Sequence, residues 1–151
     1  MLRPASVLLL LLPLAVAGCR RERPLATVGE ISVMQGWAYP STAGLASAYL
    51  VLENHGRSAD RVNSLSGPEV GDASMHGVRR EGVASTMYPL EWLEVPAGGE
   101  VAMQPGGIHI MLAGLTRELV VGDTLVLGLD LERAGRVEVR LPIVPYGEIP
   151  E

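Results

Sequence analysis

The chain has 151 residues, 48% of them apolar, which is enough for one core without disulfides or a metal to hold it together. All twelve basic residues are arginines, set against seventeen carboxylates for a net charge of −5 with no extended basic run. That balance argues against a polyanionic partner and excludes nucleic acid from the expected ligands. Phenylalanine is absent, and two tryptophans and four tyrosines supply all the aromatic bulk, so the core is expected to be Val, Leu, Ile and Ala. Against that background the six methionines, one of them the initiator, stand out.

Residues 1–18 read as an export signal, with Arg3 as a short positive start and Ser6 to Val16 as an apolar stretch broken only by Pro13. The stretch is too short to span a bilayer. It runs into Val16-Ala17-Gly18-Cys19, which looks like the lipobox of bacterial lipoproteins, whose cysteine becomes the lipidated N-terminus. Ordinary cleavage after Ala15-Val16-Ala17 is the alternative, and it would leave Cys19 as a lone thiol outside the cytoplasm, where such a group is a liability. With Cys19 lipidated, the protein is expected in the periplasm or cell envelope, held to a membrane by its lipid. The mature chain then has no free thiol, so disulfides, iron-sulfur ligation and a cysteine nucleophile are excluded together.

Residues 19–30 are polar and interrupted by Pro24, which suits a tether. From 31 to 145 the pattern is short strands with frequent turns. Ser47 to Leu52 is an apolar strand ending at the Asn54-His55-Gly56 turn signal. Pro96-Ala97-Gly98-Gly99 and Pro105-Gly106-Gly107 punctuate the middle, and Leu112 to Leu119 is expected to hold a short helical turn. Leu125, Leu127, Leu129 and Leu131 then alternate with Thr124, Val126, Gly128 and Asp130. After a turn at Ala134-Gly135, Val137, Val139 and Leu141 alternate with Arg136, Glu138 and Arg140. Period two marks half-buried strands, and many of them with regular turns predict an all-β, antiparallel β-sandwich. Residues 146–151 form a short tail.

The chemistry concentrates between positions 75 and 111, where His76, His109, Met75, Met87 and Met111 lie. Thioether sulfur is soft and imidazole intermediate, a combination that suits Cu(I) and disfavours cations that want carboxylate oxygens. A thioether, unlike a thiolate, is not consumed by disulfide formation, so such a site tolerates an oxidising compartment. In Ile108-His109-Ile110-Met111-Leu112 the His and Met are two apart and share one face of a strand, with the apolar residues on the other. Gly106-Gly107 places that pair at a strand start, while His76 and Met87 are expected at strand ends or loop edges. Met75 and His76 are consecutive and point oppositely in extended chain, so one is ligand and the other packing; His76 is taken as the ligand. Met34 and Met103 read as core, His55 as a solvated turn residue, Trp37 and Trp92 as packing, and Arg79-Arg80-Glu81 as a solvated edge.

The spacing His76, ten residues, Met87, twenty-one residues, His109, one residue, Met111 resembles the H-x10-M-x21-H-x-M motif of the periplasmic PCuAC copper chaperones. Pro105 to Leu112 is similar to the family's segment around the last two ligands. Ala48 to Asn54, Val95 to Gly99 and Gly122-Asp123 are similar to its early strand and two of its turns. The resemblance implies a cupredoxin-like sandwich, one Cu(I) bound by His76, Met87, His109 and Met111, and delivery to a copper-accepting oxidase subunit, often its Cu-A site, or to another periplasmic copper protein. The chain departs from many relatives in lacking further methionines between His76 and Met87, and from some in lacking a His/Met-rich tail.

Other classes fit less well. A blue-copper electron carrier needs a thiolate ligand, and Cys19 lies in the signal region. G-x-S-x-G, H-E-x-x-H and an acid/base carboxylate pair are all missing, so no enzyme is expected. A sandwich used for adhesion or assembly, with structural His and Met, is the remaining alternative.

Overall fold

The inward leucines near the C-terminus make one wall of the core. In this computed structural model, which describes residues 23–150, the chain forms eleven strands and no helix among those residues. They are β1 (Ala26–Val28), β2 (Ile31–Ala38), β3 (Ala46–Asn54), β4 (Asp60–Ser66), β5 (Asp72–Glu81), β6 (Ala84–Leu90), β7 (Leu93–Val95), β8 (Glu100–Ala102), β9 (His109–Ala113), β10 (Thr124–Leu131) and β11 (Gly135–Pro142). The export signal, Cys19 and the first residues of the tether lie outside the described residues, as does Glu151.

Two sheets pack face to face, as the strand pattern predicts. The smaller has the order β11-β10-β4-β7, and the larger β1-β2-β3-β9-β5-β6, with β8 also paired to β3. In the smaller sheet Leu125, Leu127 and Leu129 pair with Leu141, Val139 and Val137, and all six side chains are buried. Each such Leu contributes about 1.5–3 kcal/mol by leaving water. The larger sheet answers with Leu50, Leu52, Ile110, Leu112 and Met75, and Met103 is buried in the same core.

Three details differ from the sequence expectation. The segment read as a tether contributes β1, because Ala26, Thr27 and Val28 complete a ladder with Val33, Ser32 and Ile31. The turn expected at Leu112–Leu119 is not helical: β9 runs to Ala113, and the chain beyond is pinned in irregular form, with Ser41 N–H donating to the Leu119 carbonyl and Leu119 N–H to Ser41 Oγ. Trp92 is 45% exposed with the Arg61 guanidinium 5.1 Å from its ring, so it packs on a cation rather than in the core.

A bulge in β2 sets up the outer face of this sheet. Val33 pairs with Leu52, but Gln35 pairs with Val51, so Met34 is the extra residue. The insertion reverses the alternation that Ile31 and Val33 begin. Gly36 and Ala38 therefore point into the core, and Trp37 turns to the outer face opposite Tyr49. Gly36 is needed there, since a Cβ would lie 2.5 Å from Leu141 Cδ2 and 2.8 Å from Leu50 Cδ2.

Candidate metal centre

The strand registers bring the His and Met residues onto that outer face. His76 in β5 pairs directly with His109 in β9, and Ser74 pairs with Met111, so 74, 76, 109 and 111 share one side. Met87 in β6 pairs with Val78, two residues along β5 from His76, and so lies on the same side. Met75 pairs with Ile110 on the reverse side and is buried in the core. The pleat thus separates the two adjacent candidates at 75 and 76. His76 and Met87 sit within strands, not at the loop edges expected from sequence; the β5–β6 hairpin is longer than its polar sequence suggests because its backbone continues pairing out to Glu81 and Ala84.

The environment of each side chain is distinct. His109 is 8% exposed, and its Nδ1 lies 3.0 Å from the Gly107 carbonyl. A carbonyl only accepts, so Nδ1 carries the proton and Nε2 keeps its lone pair for a metal. The Gly106-Gly107 turn thereby fixes the tautomer. The His76 and His109 rings are 5.7 Å apart, centre to centre, and His76 Nε2 lies 3.1 Å from Ser74 Oγ. When Ser74 accepts the Nε2 proton, Nδ1 of His76 carries the lone pair. Met111, half-buried, lies between Ser47 of β3 and Ser74 of β5. Met87, 55% exposed, sits on the sheet's edge strand, where Pro89 is tolerated because edge strands need not donate outward.

His109 and Met87 line a pocket of about 360 Å³ together with Ser47, Tyr49, Val78 and Arg80 among others. His76 and Met111 flank it through their neighbours in the ladder. Tyr49 is its rigid wall, stacked on Trp37 at 5.1 Å and meeting Tyr39 edge-on at 5.4 Å. Burial raises the Tyr49 pKa above its usual value, so the side chain is a neutral phenol and not an anionic oxygen donor. No cluster of three or more His, Cys, Asp or Glu suited to a metal occurs among the described residues. The donors that this face offers are two imidazoles and two thioethers, a set whose chemistry suits a soft monovalent cation.

A second cavity, about 260 Å³, lies at the other end of β3 beside Asn54 and Asp60. Its buried polar atoms are already engaged. Asp60 accepts from the backbone N–H groups of Arg61, Arg133 and Ala134, while the Asn54 amide donates to the Ser58 and Val95 carbonyls. This cavity is a structural joint that sequence reasoning missed, since a lone Asp after Ser-Ala carries no signal of the backbone it will cap.

Comparison with known proteins follows the same lines. The PCuAC domain of PmoF1, solved in its apo form, superposes with a TM-score of 0.65 at 25% identity, covering 82% of this chain and 98% of that one. The copper-bound PCuAC domain of PmoF2 gives 0.68 at 22% identity, covering 79% and 96%. The solution structure of Cu(I)-DR1885 from Deinococcus radiodurans gives 0.62 at 24%, covering 87% and 85%. The sandwich is thus of PCuAC type. In sequence, the chain is 26% identical over 153 aligned positions to a Leifsonia xyli subsp. xyli protein named "Putative lipoprotein Lxx21020", covering 97% of this chain and 91% of that protein. The model of the family described as "Putative lipoprotein LpqE-like" matches residues 31–143, well over half the chain, and the protein belongs to this LpqE-like family.

Proposed function

We propose that this protein is an exported, lipid-anchored copper chaperone that holds one Cu(I) through His76, Met87, His109 and Met111 and passes it to a copper-accepting protein, such as the Cu-A subunit of a respiratory oxidase. The observation that carries the reading is the convergence of these four residues, spread over three strands, on one outer face of the larger sheet. Solved relatives of the same fold include a copper-bound domain and a Cu(I) form, which adds support.

The arrangement also suggests how the cargo leaves. His109 is buried and its tautomer fixed, so it is the stationary anchor. Met87 is the most exposed member and stands on a free sheet edge, so it is the ligand that yields when a donor of the acceptor enters. A neutral thioether leaves without taking or releasing a proton, and the exchange needs no acid or base. The role proposed is binding and transfer alone.

Anaerobic titration of the metal-free domain against a chromophoric Cu(I) chelator tests the function. The expected result is one Cu(I) retained per chain, with Zn(II) at equal concentration failing to compete, because two thioethers add little to a dication that favours thiolate, imidazole or carboxylate. A domain that leaves all Cu(I) with the chelator would instead favour a sandwich used for assembly.

Anchoring rests on Cys19, in keeping with the name of the Leifsonia relative. The native protein is expected to partition with membranes and to carry a diacylglycerol mass on Cys19, since two acyl chains give stable attachment where one does not. Cys19→Ala should release the protein or leave it unprocessed. A mature form starting at Gly18 without lipid would refute the anchor.

A further inference from the structure

The copper pocket of this acidic protein has one charged side chain in its lining, and that charge is positive. Arg80 continues the β5 row of Ser74, His76 and Val78, so it rises from the same face two residues beyond the pocket wall. Its guanidinium reaches the loop before β9: a Cβ placed on Gly106 would lie 3.2 Å from one guanidinium nitrogen. Gly106, with a φ of +76°, has no side chain in the way. The arginine therefore reaches from the hairpin to the loop that leads into His109. None of the ion pairs among the described residues involves it, and no carboxylate lines the pocket to neutralise it. Its neighbour Arg79 points the other way, over the Tyr88 ring at 5.3 Å.

We propose that Arg80 is a specificity-determining residue of the metal site, placed so that its charge discriminates against divalent ions and in favour of Cu(I). The inference rests on the copper reading above and concerns which ion the site accepts. A fixed unit charge beside the site repels a dication twice as strongly as a monocation. The neutral Tyr49 phenol and the absence of carboxylates leave that repulsion uncompensated within the pocket. At the separations across a pocket of this size, and with solvent at its mouth, the extra repulsion corresponds to a discrimination of about three- to tenfold. The effect works against Cu(II) and Zn(II) alike, a use for Arg80 beyond the solvated edge that its sequence context suggests.

The test compares wild type with Arg80→Gln and Arg80→Lys at low ionic strength, measuring Cu(I) affinity against a chelator, Cu(II) and Zn(II) affinity directly, and the reduction potential of the bound copper. Arg80→Gln should reduce the preference for Cu(I) over Cu(II) about fivefold, lower the potential by the equivalent ~40 mV for one electron, and raise Zn(II) affinity by about the square of that factor, roughly 25-fold, because a dication feels twice the repulsion. Arg80→Lys, which keeps the charge, should stay near wild type. In about 1 M salt, where screening acts over ~3 Å, the difference between wild type and Arg80→Gln should shrink. Equal loss of Cu(I) and Cu(II) in Arg80→Gln, or an unchanged ratio and potential, would overturn the inference while the copper site stands. A wild-type domain that takes up no Cu(I) would overturn both together.

Discussion

Replacing His109 by alanine is expected to lower Cu(I) affinity by at least about a hundredfold, because removing only the outer partner of a metal ligand already costs roughly 10–100-fold. His109 is the natural position for the largest effect: it is the most buried of the four and the one whose tautomer is held by a backbone carbonyl. His76→Ala should follow closely. Met87→Leu and Met111→Leu nearly conserve volume and should weaken binding while leaving the melting temperature of the metal-free domain in place. Met75→Leu is the control, since Met75 packs in the core on the reverse side of β5, and it should leave affinity unchanged. Chelator competition at a fixed pH reads these affinities. Loss of binding in Met75→Leu with His76→Ala unaffected would place the site elsewhere.

The largest expected effect on stability lies at the opposite end of β3. Asp60 is 4% exposed and accepts three backbone N–H bonds, at 2.8 Å from Arg61, 2.9 Å from Arg133 and 2.9 Å from Ala134. It thus joins the start of β4 to the turn between β10 and β11. Asp60→Ala removes charge-assisted bonds worth about 1.5–3 kcal/mol each in gross terms and leaves N–H groups partly buried without acceptors. Because the bonds share one carboxylate, the net cost is expected at about 3–5 kcal/mol, the range of the severe single substitutions. For a domain of this size that is a fall in melting temperature of about 10–20 °C. Asp60→Asn keeps one acceptor oxygen and should cost less than half as much. Cu(I) affinity of the folded fraction should not change in either variant. Thermal melts of the metal-free domain decide it, and a fall under about 3 °C for Asp60→Ala would show that the turn holds without its cap.

The parts of this molecule that a reader of the sequence can recover are those in which one residue type repeats in register with the backbone. Leu125 to Leu131 and Val137 to Leu141 alternate because both strands bury one face against a single opposite wall, and the structure pairs them as that pattern implies. The placement of His109 and Met111 on a shared face follows from the same period of two. What escapes is anything set by an insertion or by a distant partner. The bulge at Met34 swings Trp37 to the outer face, whereas plain alternation from Ile31 and Val33 would have placed it in the core. β1 has three residues and forms only because β2 offers an open edge. The position of Arg80 over the pocket depends on pairing between β5, β6 and β9, none of which is encoded locally. Trp92 is exposed because Arg61, thirty-one positions away, supplies the surface it rests on.

The central claim is that four named side chains, two with nitrogen and two with sulfur, hold one Cu(I). Copper K-edge X-ray absorption on the domain loaded with one equivalent of Cu(I) under anaerobic conditions reads the donor atoms directly. The expected spectrum is that of monovalent copper with both imidazole nitrogen and thioether sulfur in its shell. The sulfur contribution should fall by about half in Met87→Leu and in Met111→Leu, vanish in the double variant, and remain whole in Met75→Leu. A first shell of nitrogen and oxygen alone, or a sulfur contribution untouched by removing Met87 and Met111 together, would contradict it.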